Sequence, residues 1–390
     1  MKSLKKIATF AASAFISVCF LVGCGKSVSV SIDDDFIQDI DVYPTQKAVY
    51  EDYSKQAIDS YFAVANQYTD EWGDIDFDNE EVKAAVTGAA ISAATKLFAY
   101  ACYNERMLDQ YVYFSAQEGK TDLGKSGSAT ALRQEYYLRI NENENSCGYR
   151  YHYTIKKVAE SEGGVSMMTS LFESARTRIT TDTNLLYRLE LKGSEIKIGP
   201  ENKTLGEKIL QCEWKRGDEW GVPNIEMVKS PFVEPENIRA DIESVAGQDN
   251  ITMRANINIL ADNIVKNAVI IKDESADGYL ITMTIDTEVA NKDEASLAML
   301  RKANGSSDCV WKDEASDEDD EDDSGLSIVF RIWSNGLFRF YSVAERWQGN
   351  ISGFGGVAES LTVYHYSYSD RDCDVSRYLE PLGIYHTEQE

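Results

Sequence analysis

The stretch Tyr149-Arg150-Tyr151-His152-Tyr153-Thr154-Ile155 alternates aromatic or apolar residues with polar ones. Side chains of a strand point to opposite faces in turn, so period two with one greasy side predicts a half-buried antiparallel strand. The pattern recurs along the chain. Tyr187, Leu189 and Leu191 alternate with Arg188, Glu190 and Lys192, and Ile196 and Ile198 resume the pattern after a turn. Leu210, Cys212 and Trp214 predict another strand, and Tyr279, Ile281, Met283 and Ile285 one more. Leu326, Ile328, Phe330 and Ile332 lead into Asn335-Gly336, a strong hairpin signal. Phe338–Glu345 returns, and Leu361–Tyr368 supplies a last strand. A chain patterned this way must pair its strands into antiparallel sheet.

Helices are expected mainly before the sheet. The six prolines are unevenly spread, with none between Pro44 and Pro200 and four at Pro200, Pro223, Pro231 and Pro235. Long regular elements are therefore permitted early, and a connection is expected at 199–236. Val49, Tyr53, Ala57, Tyr61, Val64 and Tyr68 recur at helical spacing. A second helix is expected over Val82–Gln117, opened by an Asp78–Glu81 capping box. A short helix is expected around Met167, Met168, Leu171 and Phe172, and another through Lys302, capped by Asn291 with Glu294. The fold class is α+β: N-terminal helices packed on a curved antiparallel β-sheet, half-barrel-like. The divisions are a helical region at 45–118, a first antiparallel β/α part at 130–235 and a second at 236–380, each of the last two reading strands, helix, strands.

The first residues give an address. Lys2, Lys5 and Lys6 precede an apolar and small run over Ile7–Gly23, the pattern of a secretory signal, too short for a stable span. The run ends in Leu21-Val22-Gly23-Cys24, which resembles the lipobox of bacterial lipoproteins. That resemblance implies a signal peptide at 1–23 and a diacylglycerol, with palmitate-class chains, on Cys24. Two acyl chains hold a protein stably at a membrane. The Ser- and Asp-rich segment 24–44 then serves as a tether, on the extracytoplasmic face of the cell envelope.

Charge excludes other classes. The formal charge is −26, and near −29 once the three signal lysines leave. Such acidity argues against nucleic acid and against lying flat on anionic lipid. A hydrophobic content of 43% with 22 tyrosines suffices for a real core. Of seven cysteines, five remain beyond Cys24. An exported chain meets oxidising conditions. The candidate bridges are Cys147–Cys212 and Cys309–Cys373, with Cys102 buried and single; free buried thiols are the alternative.

The strand at Gly278–Ile285, the helix to Lys302, the hairpin at Asn335-Gly336 and the strand Leu361–Tyr368 together resemble lipoprotein-carrier half-barrels of the LolA/LppX type. That resemblance covers 240–370 and implies a curved sheet wrapped around helices, with acyl chains held between them. The helical stretch 45–118 is larger than that family's pattern.

Chemistry-bearing motifs are sparse. Asp313–Asp323 is an acidic run, read as a solvated loop, with loose Ca²⁺ or a basic partner as the alternative. Asp74–Asp78 begins like a calcium loop, but Asn79 stands where glycine is required and Ala85 where a glutamate belongs. The three histidines are His152, His365 and His386, with no Gly-x-Ser-x-Gly elbow or His-Glu-x-x-His beside them. Gly353-Phe354-Gly355-Gly356 reads as a flexible loop. No cofactor, metal site or catalytic set is expected. Tyr149, Tyr151, Tyr153, Tyr187, Trp214, Tyr279, Phe330 and Phe338 are the candidate apolar-ligand face, with ordinary core packing as the alternative. The expected function is a membrane-anchored binding module for an acyl chain, another apolar ligand or an envelope partner. The alternatives are a structural lipoprotein with a filled core and an envelope hydrolase.

Overall fold

The computed structural model describes residues 37–71, 73–108, 110–122, 128–140, 146–160, 166–180, 184–198, 201–205, 209–216, 219–221, 257, 259–273, 276–304, 307–313, 325–351 and 354–374. The signal, Cys24, most of the tether, the acidic run beyond Asp313 and His386 lie outside these residues, as does the 235/236 division.

Helix α1 spans Glu51–Ala65. Its buried face is Ser54, Ala57, Ile58, Tyr61 and Ala65, rotated from the expected stripe. Val49 and Tyr53 are 55% and 50% exposed. Helix α2 spans Glu80–Met107, 28 residues, or about 42 Å at 1.5 Å per residue. Its N-cap is Asn79, whose side chain accepts from the amides of Glu81 and Val82. Asp78 is one residue early for that role. By length and composition Glu80–Glu105 passes as a membrane span, but Ala94, Leu97, Phe98 and Ala101 are wholly buried in the core.

The expected helix to Gln117 stops at Met107. Strand β1, Gln110–Asp122, takes over, because Tyr111-Val112-Tyr113-Phe114 is rich in residues that suit a pleat. A meander follows: β2 (Ser128–Ile140), β3 (Ser146–Glu160), β4 (Ser166–Thr180), β5 (Asn184–Ile198), β6 (Glu201–Leu205), β7 (Ile209–Arg216) and β8 (Glu219–Gly221). The expected helix around Met167–Phe172 is part of β4. Strands β9 (Val265–Asp273) and β10 (Gly278–Ile285) precede two short helices, α3 (Thr287–Ala290) and α4 (Glu294–Asn304). Asp286 caps α3, and Asp293 accepts from Ser296 to open α4. Asn291 instead pairs with the backbone of Trp311 through both ends of its amide, each at 2.9 Å. The chain closes with β11 (Val310–Trp311), β12 (Leu326–Trp333), β13 (Phe338–Ile351) and β14 (Phe354–Ser367). Gly355 and Gly356, expected in a loop, lie in β14.

Among the described residues the fourteen strands form one sheet, ordered β8-β7-β5-β4-β3-β2-β1-β14-β13-β12-β10-β9, with β6 on β5 and β11 on β13. The join is β1 with β14, where Val112 pairs Ser367 and Asp122 pairs Val357. One antiparallel sheet therefore runs through both expected β/α parts. Helix α2 packs on β9, β10 and β13 and on α1, so one face of the sheet bears the helices.

The Asn335-Gly336 turn forms as expected, with Gly336 at φ 84°. It docks on both helices. Asn104 of α2, fully buried, accepts from the Tyr50 amide at 2.7 Å and donates to the Gly336 carbonyl at 3.3 Å. A Cβ on Gly336 would collide with the Ser54 side chain.

Neither expected disulfide forms. Cys147 on β3 and Cys212 on β7 are separated by β4 and β5. Three strand spacings are about 14 Å, whereas bridged Cα atoms lie within about 7 Å. Cys309 packs against Gly349, which pairs Gly356 near the β13–β14 turn. Cys373 follows the other end of β14, and the eleven residues from Gly356 to Ser367 cover about 36 Å. Cys373 is a free, buried thiol.

Candidate ligand-binding face

The expected aromatic residues divide into three groups. Phe330 and Phe338 are fully buried under α2, where Phe98 meets them edge-on at 5.3 and 5.5 Å between ring centroids. Tyr341 joins the same cluster at 5.9 Å. Here the space between helix and sheet is filled by side chains. Tyr279 is half-buried near Phe62 of α1, 6.2 Å away. Its hydroxyl pKa is raised by burial and then by Asp59 and Asp277.

The others lie on the meander, where the register places them. Tyr137 pairs Tyr149, Tyr149 pairs Arg178, and Arg178 pairs Tyr187. Directly paired residues share a face. Tyr149, Tyr151, Tyr153 and Tyr187 are therefore at positions of the helix-bearing face, with Tyr137. Trp214 is not. Tyr187 pairs Glu213 and Leu186 pairs Trp214, which puts Trp214 at a position of the opposite face. Seven of the eight expected residues share one face, and Trp214 is a correction.

The same face holds tyrosines that the sequence reading passed over. Tyr113 stacks on Tyr137 at 5.1 Å and packs edge-on against Tyr364 at 5.5 Å. Tyr341 stacks on Tyr364 at 4.3 Å. Tyr366 stacks on Phe338 and on Tyr368, and its hydroxyl donates to buried Glu105 of α2 at 3.1 Å. Tyr111 approaches both Tyr137 and Tyr366. Through register, one row reads Tyr366, Tyr113, Tyr137, Tyr149, Arg178, Tyr187 across six strands. Its start lies in the core beside α2. Its far end lies on strands well away from β9, β10 and β13. The alternation of Tyr364, Tyr366 and Tyr368 was the available signal for β14; Tyr111 and Tyr113 were hidden by the helical reading of 108–117.

The chain enters at the tyrosine-rich end of the strands. The fully buried Asp372 carboxylate accepts from the amides of Gln38 and Asp39, the shortest bond being 2.7 Å. Arg339 bonds Asp41 at 2.6 Å and Asp273 at 3.4 Å and stacks over Trp333. Tyr43 packs edge-on against Trp333, and Gln46 donates to the carbonyls of Gln110 and Tyr368. Residues 37–46 thus form a strap over the end where β1 begins and β14 finishes. The two strand histidines take the opposite face. His365 pairs Phe114 on one side and Phe340 on the other, and His152 pairs Gln134.

No family model matches the chain, and no curated protein matches it. Among solved structures it is similar to a DUF1329 family protein from Desulfovibrio piger, at 11% identity over 74% of this chain and 99% of that one, TM-score 0.16. It is similar to a beta-barrel-like protein of domain of unknown function DUF1849 from Brucella abortus, at 10% identity over 65% and 97%, TM-score 0.18. The translocator domain of the autotransporter NalP from Neisseria meningitidis matches at 8% identity over 66% and 88%, TM-score 0.14.

Proposed function

We propose that this chain is a lipid-anchored envelope protein, attached through Cys24, whose helix-bearing sheet face binds an apolar ligand. The observation that carries the reading is the aromatic row that leaves the core at Tyr113 and Tyr137 and continues by register to Tyr149 and Tyr187. Helices α1 and α2 fill the space over β9, β10 and β13. By register the meander carries the aromatic row on past them, and a concave sheet face with aromatic positions suits an apolar ligand. Its role is binding and presentation, with no chemistry assigned to it.

Native mass spectrometry of the soluble form, residues 25–390, purified from a lipid-containing host tests this. A co-purified apolar species supports it. A clean apo mass, with no uptake of added fatty acid, overturns it in favour of a structural lipoprotein, the reading that the filled cluster around Phe98 favours. Cys24→Ser tests the anchor separately: the variant is expected in the soluble fraction, and unchanged membrane retention rejects the lipobox.

A further inference from the structure

Large apolar side chains scattered singly over a surface are ordinary, but several gathered in one place mark an interaction site. Among the described residues six are exposed: Val42, Tyr43, Val49, Tyr53, Tyr68 and Phe77. The first four lie on the strap and its continuation into the first turn of α1, and are 52%, 41%, 55% and 50% exposed. Contacts with one hairpin make them neighbours. The Tyr43 ring packs on Trp333 at 5.4 Å, and its hydroxyl lies 3.1 Å from that of Ser334. Next to Val49, the Tyr50 amide is held by Asn104, which also holds the Gly336 carbonyl. Tyr53 packs on Tyr50 and Tyr100 at 5.9 and 5.8 Å. Tyr68 and Phe77 follow the other end of α1, about 22 Å away along the helix.

The four are held outward by buried residues between them. Pro44, Ala48 and Tyr50 point into the body, and the Gln38 and Asp39 amides are fixed by Asp372. The local charge also departs from that of the chain, which is −26. Over residues 41–55 the acids are Asp41, Glu51 and Asp52 and the bases are Lys47 and Lys55. Asp41 is paired by Arg339 at 2.6 Å, and nearby Asp39 by Arg371 at 3.7 Å. The patch is therefore close to neutral, without the acidity that keeps the rest of the chain off a lipid surface.

The chain beyond the strap identifies the surface that this end meets. From Cys24 to Ile37 it spans at most about 45 Å, and it joins the body here. We infer that Val42, Tyr43, Val49 and Tyr53 insert into the interface of a zwitterionic bilayer, so that the protein docks on its own membrane strap-first. This rests on the proposed lipid anchor and adds a second contact that gives the body one orientation. Tyrosine suits the place, because its ring is apolar and its hydroxyl stays at the level of the headgroups. Binding of this kind scales with buried apolar area, and the local charges offer no excess of bases to select anionic lipid. Gln46 bonds the carbonyls of Gln110 and Tyr368, so docking turns the Tyr111–Tyr368 end of the ligand face toward the bilayer.

The test uses the full acylated chain in phosphatidylcholine vesicles that include a phosphatidylcholine with a diazirine high on its acyl chain. After illumination, peptide mapping is expected to find label on residues 38–55 as well as on the acylated N-terminal peptide. Each half-exposed apolar side chain taken out of water is worth about threefold to fivefold in partitioning. Tyr43→Ser/Tyr53→Ser should therefore lower the label on 38–55 by about tenfold or more. Val42→Ser/Val49→Ser, which breaks no ring contact, should lower it similarly, and Tyr68→Ser/Phe77→Ser, at the far end of α1, should leave it unchanged. Label confined to the N-terminal peptide of the native chain overturns the docking surface while leaving the anchor standing. Lys47–Lys47 crosslinks between copies, with no lipid label on 38–55, assign the patch to a second copy and also overturn it. A chain that does not float with the vesicles at all defeats the anchor reading itself.

Discussion

His365 offers a direct test of how the face opposite the helices is built. It pairs Phe114 on β1 and Phe340 on β13, with the Phe340 ring 4.9 Å away. Burial lowers its pKa from 6.5 to about 4; Asp41 partly opposes this and Arg331 adds to it. The folded pKa lies below the unfolded one, so the unfolded chain binds the extra proton first. Stability is therefore unaffected above the unfolded value and falls as pH drops from 6.5 to about 4. A shift of that size corresponds to about 3 kcal/mol at 1.36 kcal/mol per unit. Many carboxylates titrate in the same range, so the quantity to measure is the difference between the parent and His365→Phe, which keeps a ring and cannot be protonated. Urea unfolding at a series of pH values should show the variant gaining on the parent by about 3 kcal/mol between neutral pH and pH 4. A difference that stays flat across that window refutes the half-buried, uncharged His365.

Three further perturbations probe the core and the thiols. Asn104→Ala removes the acceptor of the Tyr50 amide and the donor to Gly336, and should cost about 2–4 kcal/mol in urea unfolding, because a buried donor is left unmade. Phe98→Ala empties the centre of the Phe330–Phe338–Tyr341 cluster and should cost about 3–5 kcal/mol by the same measurement. Burial and the neighbouring Asp372 and Asp370 push the Cys373 thiol up to about 12, so iodoacetamide at neutral pH should leave it unmodified until urea is added, as read by peptide mass mapping.

The strands were legible wherever one face meets the core and the other does not. Tyr279–Ile285 and Leu326–Ile332 alternate because their two faces differ, and each is a strand; Tyr149–Ile155 alternates too and lies in β3. Where both faces of a strand are buried the alternation is lost. Val112 and Phe114 are wholly buried on one side of β1, while Tyr111 and Tyr113 are buried on the other. A continuous apolar run carries no period, and following an Ala-rich helix it reads as more helix. Glycines misled in the same local way. Gly355 and Gly356 read as loop, yet they pair Asn350 and Gly349 in the β13–β14 ladder.

The candidate face depends on information that no single strand contains. A one-residue change of register moves a strand's whole apolar set to the other face, and the β5–β7 offset decides that Trp214 departs from its expected companions. The strand order, with β4 and β5 between them, separates Cys147 from Cys212. Each tyrosine taken alone reads as core, and Tyr113, Tyr137 and Tyr366 are core. What distinguishes the row is its continuation past the helices, which follows from β1 pairing β14 at one side and β2 at the other. That pairing joins residues more than two hundred positions apart, so it is set by tertiary closure and not by local pattern. It also brings the strap to the end where β1 begins and β14 finishes, beside Tyr111 and Tyr368. The strap at residues 37–46 and the tyrosine rows are separate sequence features. The sheet order makes them neighbours, and that is the reason to treat them as parts of one binding surface.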